Sequence, residues 1–178
     1  GNEFKISCKS PVEVVPYPVK EIQPKQVDLE LSTKFNFLCV AMFGPRKNIE
    51  NTVEWFLQEF KDNEDVGLVL KVSRGRSCIL DRENTTQTLQ EIIKNHKDES
   101  KCKVYLLHGN LTEEEMVGLY TNPKIKALVS ATHGEGFGLP LFEAASVGLP
   151  IVATDWSAHP EFLVGKIKEG KKVKEKKL

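Results

Sequence analysis

Residues 35–43 (FNFLCVAMF) are apolar apart from Asn36, a density that suits a central strand covered on both faces rather than one with a wet side. The run ends in a Gly44-Pro45 turn, and the chain then alternates between helical and extended patterns to residue 154. Asn48 is a candidate N-cap, with Ile49, Val53, Phe56, Leu57 and Phe60 on one helical face. Residues 66–72 read as a second strand and 86–96 as a helix with Leu89, Ile92 and Ile93 turned inward. Residues 104–107 read as a third strand, and Thr112 with Glu115 forms a capping box for a short helix reaching Tyr120. Strand 125–131, helix 139–148 and strand 151–154 complete the series. Such alternation predicts an α/β fold, a Rossmann-like three-layer parallel sheet with right-handed crossovers. Ligands in these sheets bind beyond the carboxyl ends of the strands, so the loops that follow them are where function is sought.

Composition sets bounds rather than a function. At 178 residues, 40% hydrophobic and 28% charged, the chain suits one globular domain with a real core. A net charge of zero gives no argument for nucleic acid. The charge is uneven, however: residues 166–178 hold seven lysines and two glutamates, a net of +5 that leaves −5 for the rest. That tail reads as a solvated, frayed terminus, or alternatively as a basic patch for peripheral contact with an anionic membrane surface. Cys8, Cys39, Cys78 and Cys102 show no C-x-x-C and no metal spacing with histidine, which suggests reduced thiols and a cytoplasmic setting. No apolar run is long enough to span a bilayer.

The densest information lies in residues 130–161, SATHGEGFGLPLFEAASVGLPIVATDWSAHPE. Glu135 and Glu143 form an E-x7-E pair across Gly136-Phe137-Gly138-Leu139-Pro140. A strand enters this turn and a helix leaves it with Pro140 in its first turn, where the missing N–H costs nothing. Glycines permit close approach of a ligand to the backbone, and helix-start N–H groups attract phosphate. Carboxylates beside a phosphate site serve best as acceptors for sugar hydroxyls, and the spacing lets both face one crevice. The local chemistry is that of a sugar-nucleotide site.

This string resembles the signature of retaining glycosyltransferases of family 4 (group 1). The matching pieces are E-G-F-G-L-P-x-x-E-A at 135–144, G-L-P-I-V-A at 148–153 and the Pro160-Glu161 pair. The resemblance implies the C-terminal, donor-binding half of a GT-B fold. The implied ligand is a nucleoside diphosphate sugar (UDP-, GDP- or ADP-sugar), bound without a metal. The implied activity is hexosyl transfer to an acceptor with retention of configuration. Residues 1–34 then correspond to the linker and edge segment, 35–165 to the nucleotide-sugar-binding domain and 166–178 to the basic tail. The partner would be an N-terminal acceptor-binding domain, without which the isolated half should be inactive. The alternative is a non-catalytic nucleotide-sugar-binding module acting with a partner chain. A dehydrogenase is disfavoured, since no G-x-G-x-x-G follows the first strand.

The resemblance also assigns roles outside the glycine turn. Pro45-Arg46-Lys47-Asn48 resembles the family's [PE]-R-K-N segment, so Lys47 would grip the donor diphosphate with Arg46 in support; without the resemblance the pair reads as a solvated turn. Met42 stands where many members carry a further arginine, which puts the strength of that grip in doubt. Glu143 would hold the ribose hydroxyls, Glu135 the sugar hydroxyls, and the backbone of Gly136, Phe137, Gly138 and Leu139 the phosphate and sugar. Leu111, in the loop after the third strand, would touch the base, or else simply staple the next helix. Lys71 either reaches the crevice or is a surface lysine, and His133 either bonds the sugar or closes the turn.

Overall fold

The computed structural model describes residues 10, 11, 13, 15, 17–95, 100–169 and 172–177; Cys8 and part of the expected edge segment at 12–19 lie outside them. Five strands form one sheet: β1 (Phe35–Met42), β2 (Val66–Ser73), β3 (Lys103–Leu106), β4 (Ile125–Ser130) and β5 (Ile151–Ala153). Their order is β3-β2-β1-β4-β5 and every pairing is parallel. The order of the chain reverses between β1 and β4, which makes their carboxyl ends the switch point of the sheet.

Helices α1 (Ile49–Phe60) and α2 (Ile79–Asn95) pack together, as do α3 (Glu113–Tyr120) and α4 (Leu139–Ser146). Two cores result. Cys39, Val53, Phe56, Leu68, Leu70 and Leu89 belong to one; Leu38, Val69, Leu119, Leu128 and Leu141 belong to the other. Neighbouring residues such as Leu38 and Cys39 point to opposite cores, as the alternation of a strand requires. This accounts for the dense apolar run at 35–43. Burial pushes the Cys39 thiol up to about 12, with the Lys47 charge opposing weakly, so it is an inert core group.

Asn36, the polar interruption in that run, is fully buried. Its amide donates to the carbonyls of Thr33 (3.1 Å) and Lys124 (3.0 Å) at a register shift between β1 and β4. A buried amide satisfied in this way fixes the strand start instead of destabilising it.

Several elements differ from the sequence expectation. Helix α2 begins at Ile79 rather than 86, because its first turns expose Ile79 and Leu80 and give no apolar stripe to read. Asn48 does sit at the N-cap of α1, but its φ of 56° is left-handed and its side chain makes no cap bond. Instead Asn48 Nδ2 donates to Ala131 O at 3.0 Å, tying the β1–α1 turn to the end of β4. The lysine-rich end, expected to fray, forms an antiparallel hairpin of β6 (Val164–Glu169) and β7 (Lys172–Lys177) after a short helix α5 (Pro160–Leu163). Its register sets Lys166 opposite Glu175 and Glu169 opposite Lys172.

No strand occurs among the described residues of 12–19. The segment from Tyr17 onward is irregular yet anchored: Lys25 N donates to Glu114 O at 2.9 Å, and Asn122 Nδ2 donates to Val27 O at 2.9 Å. A Cβ on Gly118 would lie 1.8 Å from Lys25 O, so α3 needs a glycine at that crossing.

Candidate donor-binding site

At the switch point two loops are stitched together. After β1 the chain makes a short 3-10 turn, Pro45–Lys47, and the left-handed Asn48 redirects it into α1. Arg46 O accepts from His133 N at 2.8 Å and from the buried Thr132 hydroxyl at 3.1 Å. This brings Arg46 and Lys47 onto Glu135. Lys47 Nζ lies 2.5 Å from Glu135 Oε1, and Arg46 Nη1 lies 3.3 Å from Oε2 while also donating to Gly134 O. The Glu135 side chain is only 9% exposed and that of Lys47 16%, whereas Arg46 is open. Burial alone would raise the Glu135 pKa. The hydrogen bond and charge of Lys47, helped by Arg46 and Thr132, more than offset it, and the carboxyl titrates below its usual range. Glu135 is therefore a fixed carboxylate with acceptor capacity only.

The backbone of Glu135 is held by a residue that sequence reasoning passes over. Ser157 Oγ accepts from Glu135 N at 2.9 Å and donates to Glu135 O at 2.8 Å, from a left-handed position (φ 80°) in the loop after β5. Nothing in the local string announces that conformation. The neighbouring Trp156 is 59% exposed and flanks Gly134.

Beyond Glu135, Gly138 is left-handed (φ 94°) and a Cβ there would meet Leu141 at 3.2 Å and His159 at 3.4 Å, so glycine is required. No side chain caps α4. Pro140 has no N–H and Leu141 N donates to Gly138 O at 2.9 Å, so the Leu139 N–H is the first-turn donor left for an anion or a hydroxyl, next to the 136–139 backbone expected to meet the phosphate. The Phe137 ring joins Tyr17, Phe142 and Phe162, with centroids 5.1–5.3 Å away for Tyr17, Phe142 and Phe162, and so fastens the turn from beneath.

The two glutamates bond different partners. Glu143, in the second turn of α4, points toward α3, where its Oε2 accepts from Tyr120 OH at 2.9 Å. Burial, reinforced by Glu143, raises the Tyr120 hydroxyl pKa and keeps it a donor. Glu143 and Leu111 line a cavity of about 190 Å³ together with Met116, Val117 and Val147. His133 lines a different cavity of about 380 Å³ with Phe43, Asn51 and Arg74. Lys71 joins neither group: its ammonium donates to Gly109 O, and burial lowers its pKa.

A second buried carboxylate was also invisible to motif reading. Asp81 accepts from Arg74 N (2.9 Å), Arg76 N (2.7 Å), the Thr85 hydroxyl (3.2 Å) and the His108 ring (3.1 Å). Desolvation opposes its ionisation, but these donors prevail and bring its pKa down to about 2. It pins the loop after β2 to the loop after β3. Among the described residues no cluster of three or more His, Cys, Asp or Glu side chains is placed to hold a metal, and no helix is long and apolar enough to cross a membrane.

Comparison with known proteins gives the family. The family described as "Glycosyl transferases group 1" matches residues 21–175. This chain belongs to that family. The serotype-specific mannosyltransferase WbdA of Escherichia coli is 31% identical over 120 residues, covering 67% of this chain and 13% of the relative. O-antigen chain mannosyltransferase B of Escherichia coli is 26% identical over 158 residues, 88% of this chain and 38% of the relative. The group 1 chain thus spans a minor part of these relatives.

Solved structures agree on the fold. The C-terminal domain of a group 1 family glycosyl transferase from Francisella tularensis superposes with a TM-score of 0.57 at 21% identity, covering 75% of this chain and 64% of that one. The pneumococcal O-GlcNAc transferase GtfA, in complex with UDP and GlcNAc, gives 0.54 at 21% identity over 84% of this chain and 26% of its own. At that identity the likeness establishes the Rossmann-like GT-B architecture and nothing finer.

Proposed function

We propose that this chain is the donor-binding half of a retaining hexosyltransferase, holding a nucleoside diphosphate sugar for transfer to an acceptor bound elsewhere. The observation that carries the reading is the ion cluster of Lys47, Arg46 and Glu135 beside an uncapped helix start, with the Glu143 cavity on the other side of the same glycine turn. A donor laid across that turn meets three chemistries in order. Glu143 accepts from the ribose hydroxyls, the Leu139 amide at the start of α4 and Lys47 meet the diphosphate, and Glu135 accepts from hydroxyls of the sugar.

The costly event in such a transfer is departure of the nucleoside diphosphate from an oxocarbenium-like centre. Lys47 and Arg46 stabilise the negative charge growing on the leaving phosphate, and they are already oriented, so little reorganisation is needed during the step. Glu135, kept ionised, orients the sugar rather than delivering a proton. One observation favours the non-catalytic alternative: Met42, at the position of the family's further arginine, is 60% exposed and offers the phosphate nothing. Calorimetric titration with UDP, GDP, ADP and their hexose conjugates tests the reading. Saturable binding that Glu143→Ala cuts to the level of pyrophosphate and Lys47→Ala weakens is expected; no binding of any nucleotide overturns it.

A further inference from the structure

The cavity that holds Glu143 has a wall from an unexpected source. Tyr17, Pro18, Val19, Lys20 and Ile22, upstream of β1, close its outer side. This strap is fastened at both ends. Tyr17 packs on Phe137 at 5.3 Å and edge-on to Phe142 at 5.8 Å, and Lys20 Nζ bonds both oxygens of Glu113, at 2.9 and 3.1 Å. Glu113 lines the cavity as well, so the pocket has mainly apolar walls, Glu143 on one side and a carboxylate–ammonium pair on its rim. Its two acidic neighbours point to other work. Glu115 receives Thr112 N and bonds Lys25, and Glu114 gives its carbonyl to Lys25 N.

The volume, about 190 Å³, is that of roughly six liquid waters and suits one flat heterocycle. The chemistry of the rim then discriminates among bases. A carboxylate accepts two parallel N–H bonds and donates none. Guanine alone among the common bases presents two adjacent donors, N1–H and the 2-amino group, with the O6 acceptor beside them for an ammonium. Uracil flanks its single N–H with carbonyl oxygens, and adenine and cytosine place a ring acceptor next to their amino group. Each of these would face the second carboxylate oxygen with a lone pair, which is repulsive.

We propose that Glu113, positioned by Lys20 of the strap, reads the base of the donor, and that the base is guanine. The proposal rests on the donor-binding reading above and adds the base and two residues that select it. The strap is then part of the nucleoside site rather than a mere tether.

Equilibrium titration of the full chain with GDP, IDP, UDP and ADP tests it, because IDP differs from GDP only in lacking the 2-amino donor. The expected order is GDP tightest, with IDP weaker by about tenfold for the lost charge-assisted bond and UDP and ADP weaker still. Glu113→Gln, at a position whose side chain is 66% exposed and so tolerant of change, should bring GDP down to the level of IDP and leave UDP nearly unchanged. Equal affinity for GDP, IDP and UDP, or a GDP preference that survives Glu113→Gln, overturns the guanine assignment while leaving a working nucleotide site. Failure of every nucleotide to bind instead removes the donor-binding reading itself.

Discussion

Glu135 and Lys47 compete with the proposed ligand for each other, and this has measurable consequences at the level of single residues. The Lys47 ammonium already has a partner at 2.5 Å, so a diphosphate gains it only by sharing it with the carboxylate. Lys47→Ala should weaken nucleoside diphosphate binding by about 10- to 100-fold, the range for a hydrogen bond to a charged group. Glu135→Gln should act in the opposite sense on the bare diphosphate, tightening it or leaving it unchanged because the competing charge is gone. The same variant should erase whatever extra affinity the sugar conjugate shows. Parallel titrations with the diphosphate and its hexose conjugate separate the two, and equal losses for both ligands in Glu135→Gln would sink the sugar-orienting role.

Asp81 makes a prediction in pH. Its folded pKa is about 2 against an ordinary 3.8, so the unfolded chain binds the proton first. Its contribution to stability is complete above the unfolded value and is lost as pH falls through the folded one. Chemical denaturation followed from pH 5 to pH 2 should therefore show a steeper decline in the wild type than in Asp81→Asn. Coincident slopes would mean that the four donors around Asp81 do not bind its charged form selectively.

At the scale of elements, legibility followed periodicity. The strands around the switch point and the Thr112–Glu115 capping box could be read because apolar spacing and cap chemistry are local, and the box is present with both of its bonds. Helix α2 was half hidden because its first turns bury Asp81 instead of an apolar stripe. The glycine turn was legible as a string, but the separate partners of Glu135 and Glu143 were not, since the Tyr120 bond to Glu143 depends on how α4 packs against α3. Ser157 was invisible for a similar reason: its left-handed backbone is imposed by the loop that receives it. The strap was read as a linker because only tertiary contacts bind it. Gly118→Ala tests those contacts, since the new methyl would overlap Lys25 O. The substitution should destabilise the fold by about 1–3 kcal/mol, typical of overpacking. It should also raise amide exchange in the Lys20–Lys25 stretch more than in β1. An unchanged exchange pattern there would mean that α3 and the strap are not coupled.

For the whole molecule, stability should depend on whether the proposed ligand is bound. β1 and β4 meet at the switch point, α4 rises from one loop, and the strap returns from upstream to cover the nucleoside cavity. A nucleotide bound there would join parts distant in sequence that must all separate on unfolding, so binding and global stability are linked. Ligand at 100 times its Kd stabilises by about 2.7 kcal/mol. With each kcal/mol worth about 2–4 °C in a domain of this size, Tm should rise by roughly 5–10 °C. Pyrophosphate should give a smaller rise, because it reaches Lys47 and the amide at the start of α4 but leaves the Glu143 cavity unfilled. Glu143→Ala should lower the nucleotide shift to the pyrophosphate level and leave the pyrophosphate shift alone. If nucleotide and pyrophosphate instead raise Tm equally in the unaltered chain, the cavity beneath the strap contributes nothing to binding, and the switch point is an anion site alone.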